Sequence, residues 1–248
     1  MAEYTLGIDL NHYRPGFDIA KAKASGVRFL INKATEGSSF EDSSYNGYRD
    51  QAKANGLPFG AYLYWRASVD PEAQVDWFFE IVKKHIDLPP VIDVERYNNV
   101  GVLSQAKAHQ NILECAMLLE DVYNLSPILY TSWWSWESLT GGGELAELLP
   151  IWTANWTNNS IPMLPRPATE WDYWQFTSAY PLPGQPKTCD ASRWNGSKAE
   201  FTEYVKVTRS IMYPQAPPPV PPPTPDPTTQ PIYLELSGKR YVGEVRQV

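Results

Sequence analysis

Apolar runs alternate with amphipathic segments along the first half of the chain. The runs are rich in β-branched and aromatic residues, as strands are, and the segments between them carry apolar residues at helical spacing. This alternation predicts βα units in a parallel sheet, with four crossover helices. The predicted strands are "YTLGIDL" (4–10), "RFLINKA" (28–34), "PFGAYLYW" (58–65), "PVIDVE" (90–95) and "PILYTS" (127–132).

The rhythm changes after the fifth strand. Three further strands are predicted at 150–155, 171–176 and around 188–190, joined by segments rich in Pro, Asn and Gly. Only a short helix near 143–149 interrupts them, and a helix near 198–212 follows. Five strands in βα units and three joined mainly by loops predict an α/β fold, a modified TIM-like barrel of the (β/α)5(β)3 type.

The C-terminal part differs in composition. Residues 214–231, "PQAPPPVPPPTPDPTTQP", are too rich in proline for helix or sheet and predict an extended polyproline II linker. The alternating tail at 232–248 predicts a small hairpin, which is too short for a core of its own. It therefore docks on the barrel, pairs with another chain or stays disordered. The predicted domains are a barrel (1–213), the linker (214–231) and the tail (232–248).

Bulk composition excludes several classes of function. A formal charge of −7 with no cluster of Lys and Arg argues against nucleic acid as a partner. No apolar run is long enough for membrane insertion, and the first four residues lack the basic start of a secretory signal, so we expect a chain made in the cytosol. Cys115 and Cys189 are expected to be free thiols. The three histidines show no paired spacing, and we expect no metal and no cofactor.

The stretch "VIDVE" (91–95) places two acids in an otherwise apolar strand. Residues two apart on a strand point to one face, so Asp93 and Glu95 converge. Ionised side chains are costly to bury without partners. The pair is therefore either a salt-bridged strand end or part of a chemical site.

Acids also follow other predicted strands. Asp9 ends the first strand, and Asp190 ends the predicted eighth, which neighbours the first in a closed barrel; Glu36 follows the second. Because active sites of such barrels lie at the C-terminal ends of the strands, Asp9, Asp93, Glu95 and Asp190 are the predicted catalytic set. Gathered like charges raise one another's pKa, which keeps one carboxyl group protonated near neutral pH.

Aromatic residues accompany the acids. Core packing explains any single one, but as a set at strand ends they favour a glycan groove, because flat rings stack on sugar faces. The predicted substrate-binding residues are Glu36, Tyr62, Tyr64, Trp65, Trp133, Trp152 and Trp174.

Seven motifs carry a family resemblance: "GIDLNHYRPGFD", "KATEG", "GLPFGAYLYW", "PPVIDVE", "PILYTSWW", "DYWQFTS" and "CDASRW". Over residues 4–210 they resemble the successive motifs of the glycoside hydrolase family 25 lysozymes. That resemblance implies cleavage of the β-1,4 bond between N-acetylmuramic acid and N-acetylglucosamine in bacterial peptidoglycan. It also implies that Glu95 is the general acid/base, Asp93 its partner at the anomeric side, and Asp9 and Asp190 supporting carboxylates. The chain departs from the family pattern at Asn11, Leu63 and Ser192.

Two other functions stay open at this stage. The acids could hold Mg²⁺ or Mn²⁺ for phosphodiester hydrolysis, because hard cations prefer carboxylate oxygens. Alternatively, the chain could be a non-catalytic glycan-binding or virion-associated module. The lytic resemblance and the expected lack of a signal peptide favour a phage or prophage endolysin, held in the host cytoplasm until a holin releases it to the wall. The tail is then a candidate element for self-association.

Overall fold

The computed structural model describes residues 4–214 and two strands at 230–236 and 239–245. The chain divides into two units, Met1–Pro214 and Gln215–Val248. The strands of the first unit are β1 (Thr5–Leu10), β2 (Phe29–Glu36), β3 (Phe40–Glu41), β4 (Phe59–Tyr64), β5 (Val91–Val94), β6 (Ile128–Thr131), β7 (Ile151–Ala154), β8 (Tyr173–Tyr180) and β9 (Cys189–Trp194). Its helices are α1 (Ile19–Ala24), α2 (Tyr45–Ala54), α3 (Pro71–Val82), α4 (Gln105–Tyr123), α5 (Trp133–Thr140), α6 (Leu145–Leu148) and α7 (Lys198–Met212).

Eight of these strands close into a barrel. The order around it is β1, β9, β8, β7, β6, β5, β4 and β2, and a β1–β2 pairing completes the ring. β3 adds two residues to the edge of β2. The predicted (β/α)5(β)3 barrel is confirmed, including the four helices α1 to α4 between its first five barrel strands.

The last barrel strand runs opposite to the direction that the parallel pattern suggests. β9 is antiparallel to both β8 and β1. Its connection from β8, residues 181–188, is shorter than the dozen residues that a parallel crossover needs. Asp190 therefore lies near the start of its strand and not at the end, which corrects the sequence-based expectation. The reversal still brings Asp190 to the rim where the parallel strands end.

Two apolar layers follow from the alternation of side chains along the strands. Ile92 and Val94 face outward into the layer between the barrel and the helices. Val91 belongs to the inner cluster. Because Asp93 shares its face with Val91, this acid points into the barrel.

Helix α7 closes the opposite end of the barrel. The Phe201 ring lies 5.1 Å from that of Phe29, at the start of β2, and 5.2 Å from that of Trp194, at the end of β9. A capping box formed by Ser197 and Glu200 fixes the first turn of this helix. These apolar rings close one end of the barrel interior. The rim at the other end is polar and open.

Helix α5 is absent from the sequence-based prediction, which placed only a short helix near 143–149. The Ser132 side chain caps α5 by accepting a hydrogen bond from the Ser135 amide, and Gly141 ends it with φ 73°. Ser before the helix and Gly after it are ordinary boundary signals. Trp133, which begins this helix, was predicted from the sequence only as a substrate-binding residue.

The second unit contains β10 (Gln230–Leu236) and β11 (Lys239–Val245), which pair antiparallel with Leu236 opposite Lys239. This pairing has the form of the expected hairpin. The structure does not describe residues 215–229 or 237–238. The predicted polyproline II linker, 214–231, overlaps the first two residues of β10, Gln230 and Pro231, which pair with β11 and therefore lie in a strand. The proposed division into barrel, linker and tail stays a prediction.

Gly7 offers a test of packing inside the barrel. A Cβ atom at this position would lie 2.1 Å from the Phe29 ring, so Gly7→Ala should lower the free energy of unfolding by about 1–3 kcal/mol through overpacking. Denaturant unfolding measures this change. Gly47→Ala on α2 is the matched control: its Cβ meets nothing within 4 Å, and we expect a gain of about 0.5–1 kcal/mol. Equal effects of the two substitutions would contradict this account.

Candidate active site

The four predicted acids line one pocket at the rim of the barrel. Asp9, Asp93, Glu95 and Asp190 share it with Asn11, Tyr62, Tyr130, Trp152 and Gln175. Its volume is about 80 Å³, the space of roughly two or three waters. The pocket can therefore receive one reacting group of a substrate, while the rest of a larger molecule lies outside it.

Strand geometry explains why these acids meet. Asp9 on β1 is directly opposite Asp190 in the antiparallel β1–β9 pairing. Asp93 lies inside β5, and Glu95 follows the end of that strand on the same face. Barrel strands thus carry Asp9, Asp93 and Asp190, and Glu95 lies one residue past the end of β5.

Burial governs the protonation of the set. It is the largest influence on each group and raises the pKa values of Asp9, Asp93 and Glu95, and that of Asp190 to about 6. Neighbouring carboxylates add to this effect: Asp190 acts on Asp9, and Glu95 acts on Asp93. The cluster therefore retains protons at a pH where exposed carboxyl groups are ionised.

Two cations oppose this tendency. Burial raises the pKa of Glu95, and the charge of Lys33 partly offsets the rise; Lys33 acts likewise on Asp93. Its ammonium group also bonds Glu36 and lies 4.7 Å from the centre of the Tyr64 ring. Arg14 lies 3.9 Å from the Asp190 carboxylate. The sequence analysis identified neither cation.

Among the four acids, Asp93 alone has a buried carboxylate oxygen, Oδ1, without a hydrogen-bond partner in the described part of the chain. A buried polar atom of this kind is costly unless something else satisfies it. Asp93 thus has an acceptor available to a bound molecule.

Comparison with known proteins decides the family. The model of the glycosyl hydrolases family 25 matches residues 8–185. The chain belongs to family 25 of the glycosyl hydrolases. Lysozyme M1 of Streptomyces globisporus is 27% identical over 205 residues, which cover 79% of this chain and 69% of that protein. The N,O-diacetylmuramidase of Arthroderma benhamiae is 28% identical over 217 residues, 81% and 86% of the two chains.

Solved structures agree with this assignment. The bacterial lysozyme from Streptomyces coelicolor superposes with a TM-score of 0.75 at 25% identity, over 82% of this chain and 98% of that one. The expected family and the expected enzyme class, a lysozyme-type glycoside hydrolase, are confirmed.

The predicted substrate-binding residues of this family 25 enzyme fall into distinct groups. Tyr62 and Trp152 line the pocket. Trp65 and Trp174 have no exposed surface, so direct contact with a sugar is excluded for these two and the prediction is corrected. The Trp65 ring belongs to the outer core, and the Trp174 indole donates to the Asn155 carbonyl at 2.7 Å. Such burial is the ordinary packing role of a large aromatic ring.

Three other predicted binding residues lie outside the pocket. Glu36 already binds Lys33 and Arg66; burial would raise its pKa, but these hydrogen bonds lower it overall. Tyr64 is nearly buried and donates to the Tyr97 carbonyl at 3.3 Å. Trp133 begins α5 and packs edge-on against Trp134 at 4.6 Å. Their contact with substrate stays a prediction.

The sequence analysis did not identify Tyr130 and Gln175 as site residues. Both face the pocket, and the Tyr130 hydroxyl donates to Gln175 Oε1 at 3.0 Å. Their positions along the strands indicate that they face the barrel interior. Tyr130 lies two residues after Ile128 and Gln175 lies two residues after Tyr173, and both Ile128 and Tyr173 belong to the inner cluster. Asn11, noted only as a departure from the family pattern, also lines the pocket, 3.5 Å from the Tyr62 hydroxyl.

The described residues contain neither a metal-binding cluster nor a membrane-spanning helix. Within 4–214 and the two C-terminal strands, no group of three or more His, Cys, Asp or Glu side chains has an arrangement that could hold a metal ion. None of the helices described combines the length and apolar character needed to cross a bilayer.

Replacement of Asp190 should stabilise the protein at neutral pH. Burial raises its pKa from 3.8 to about 6 in the fold, so the native state binds more protons than the unfolded state between these values. Stability contributed by this group is therefore lost as pH rises through that window. Asp190→Asn removes the loss, and we expect the free energy of unfolding near pH 7 to rise by on the order of 1–3 kcal/mol.

Urea unfolding over a series of pH values measures this effect, and the gain should disappear below about pH 4. Asp76→Asn, on the exposed side of α3, controls for loss of a carboxylate elsewhere. A variant less stable than the wild type near pH 7 would refute this account of Asp190.

Proposed function

We propose that this family 25 enzyme is an N-acetylmuramidase. It cleaves the β-1,4 bond between N-acetylmuramic acid and N-acetylglucosamine in bacterial peptidoglycan. The observation that carries the proposal is Glu95 at the pocket rim, with a pKa raised by burial, two residues from Asp93 and facing the same pocket. The names of the relatives, a lysozyme and a diacetylmuramidase, support the same substrate.

Glu95 is the proposed general acid. A carboxyl group with a raised pKa keeps its proton near neutral pH and can deliver it to the leaving glycosidic oxygen. Glu95 is only partly buried, so it meets the substrate where the pocket opens. After the bond breaks, the resulting carboxylate can accept a proton from the water that completes hydrolysis.

Asp93 is the proposed partner at the anomeric side. Its buried Oδ1 lacks a partner among the described residues and can accept the N–H of the sugar's 2-acetamido group. Orienting that group supports its attack on the anomeric carbon and stabilises the positive charge that develops there. Asp9 and Asp190 add negative charge at the same rim.

Analysis of released wall fragments tests the function. Digestion of purified bacterial walls should yield fragments that end in a reducing N-acetylmuramic acid, as identified by mass spectrometry. Reducing N-acetylglucosamine ends or free stem peptides would replace the proposal by another bond specificity. Digestion is carried out with EDTA present, since the alternative metal-dependent hydrolase would stop under that condition.

Glu95→Gln in the same assay tests the general acid. Fragment release should fall by about 10²–10⁴-fold, because an amide keeps the shape but cannot donate the proton. Glu80→Gln, on the exposed surface of α3, is the matched control and should digest walls like the wild type. Near-normal release by folded Glu95→Gln would remove Glu95 from this role.

The biological setting forms a finer part of the proposal. We assign the chain to phage or prophage endolysins, held in the host cytoplasm until a holin opens the membrane; the proposed cleavage of bacterial walls is the activity that this setting requires. Cells of a susceptible bacterium that produce the chain should grow until their membrane is permeabilised and then lyse. Lysis without permeabilisation would contradict the setting. Self-association through the C-terminal strands stays a prediction, open to mass measurement in solution.

A further inference from the structure

Gln175 is the centre of a hydrogen-bond network beneath the carboxyl groups. It lies on β8 and is 2% exposed. Its Nε2 donates to both carboxylate oxygens of Asp9, at 3.0 and 3.2 Å. Its Oε1 accepts from the Tyr130 hydroxyl and from the Trp156 indole, each at 3.0 Å. Every polar atom of the amide thus has a defined partner.

The Trp156 indole fixes the orientation of this amide. An indole N–H can only donate, so the Gln175 atom that faces it must be the oxygen. The Tyr130 hydroxyl, which can donate or accept, donates to the same Gln175 oxygen in this orientation. The NH2 group must then face Asp9, and an amide nitrogen can only donate.

This orientation favours the ionised form of Asp9. Two oxygens that accept from the same NH2 group suit a carboxylate, because the hydroxyl oxygen of a neutral carboxyl group is a poorer acceptor. Hydrogen bonds to the charged form of an acid lower its pKa. Gln175 therefore opposes the burial that raises the pKa of Asp9.

Other groups around Asp9 act in both directions. Burial disfavours the charge of Asp9 most, and the carboxyl groups of Asp190, across the β1–β9 pairing, and of Glu95 add to this effect. The Arg14 guanidinium favours the charge. The Asp9 charge in turn raises the pKa of four neighbouring groups, which are Asp93 on β5, Tyr62 on β4, Tyr130 on β6 and Cys189 on β9. Arg14 is the one cation in this set. The hydrogen bonds from Gln175 therefore have a strong influence on whether Asp9 carries a negative charge.

We propose that Gln175 is a positioning residue that favours the ionised form of Asp9 against burial and its acidic neighbours, and thereby shifts protons of the cluster towards the other carboxyl groups, Glu95 among them. The consequence for catalysis rests on the proposed muramidase function. The consequence for Asp9 does not, because the titration of a single carboxyl group can be observed without substrate.

Gln175→Met tests the proposal, since methionine keeps the length of the side chain and removes both the donor and the acceptor. The carboxyl carbon of Asp9, followed by ¹³C NMR over a pH series, should titrate about 1–2 pH units higher than in the wild type. The acid limb of the pH–kcat profile for wall digestion should move upward in parallel, with recovery of turnover at higher pH. A structural defect alone would lower turnover at every pH.

Gln74→Met is the matched control. Gln74 is also fully buried, but its amide bonds only to the backbone of Arg66 and Val69. It should lose stability and leave the Asp9 titration unchanged. Trp156→Phe is a second variant at a 63% exposed position; it removes one of the two donors to Gln175 and should shift the Asp9 titration upward by less.

The outcomes separate the two proposals. An Asp9 titration at the wild-type pH in folded Gln175→Met overturns the role of Gln175. Should that variant fail to fold, an unshifted titration in Trp156→Phe overturns it instead. Wild-type protein that digests no wall would refute the muramidase function, while the NMR titration would still decide the network.

Discussion

Four carboxyl groups at one end of a closed, largely apolar barrel are the constraint on which this enzyme depends. Each ionised carboxylate is costly away from water, and each adds to the cost of the next. Lys33 and Arg14 offset only part of that cost. The cluster therefore retains protons at a higher pH than exposed carboxyl groups do, which favours acid catalysis.

The barrel makes this arrangement stable by separating its apolar and polar ends. Phe29, Trp194 and Phe201 fill the interior at the end covered by α7. At the other end, the inward rows of several strands change to polar residues such as Asp9 and Gln175. Because these side chains extend from paired strands, their mutual positions are fixed by the same hydrogen bonds that close the barrel. A loop-built site would lack that rigidity.

The tryptophans show how one residue type serves two purposes in this enzyme. Trp65 and Trp174 are fully buried, whereas Trp152 reaches the pocket and donates to Ser192 at 3.0 Å. Trp156 combines an exposed ring with a bond to the buried network. Aromatic density near strand ends therefore predicts the region of the site correctly, but it does not distinguish its lining from its support.

The sequence by itself determined the barrel strands, the four crossover helices and the family, because alternation and local motifs are encoded within short segments. It also identified the four acids of the pocket. Only the tertiary structure decided that β9 runs antiparallel to its neighbours. The connection from β8 is too short to cross the barrel, so β9 must start at the same rim where β8 ends. It alone placed Lys33, Tyr130 and Gln175 around the acids, because contacts between side chains on different strands follow from barrel closure and register, and no single segment records them.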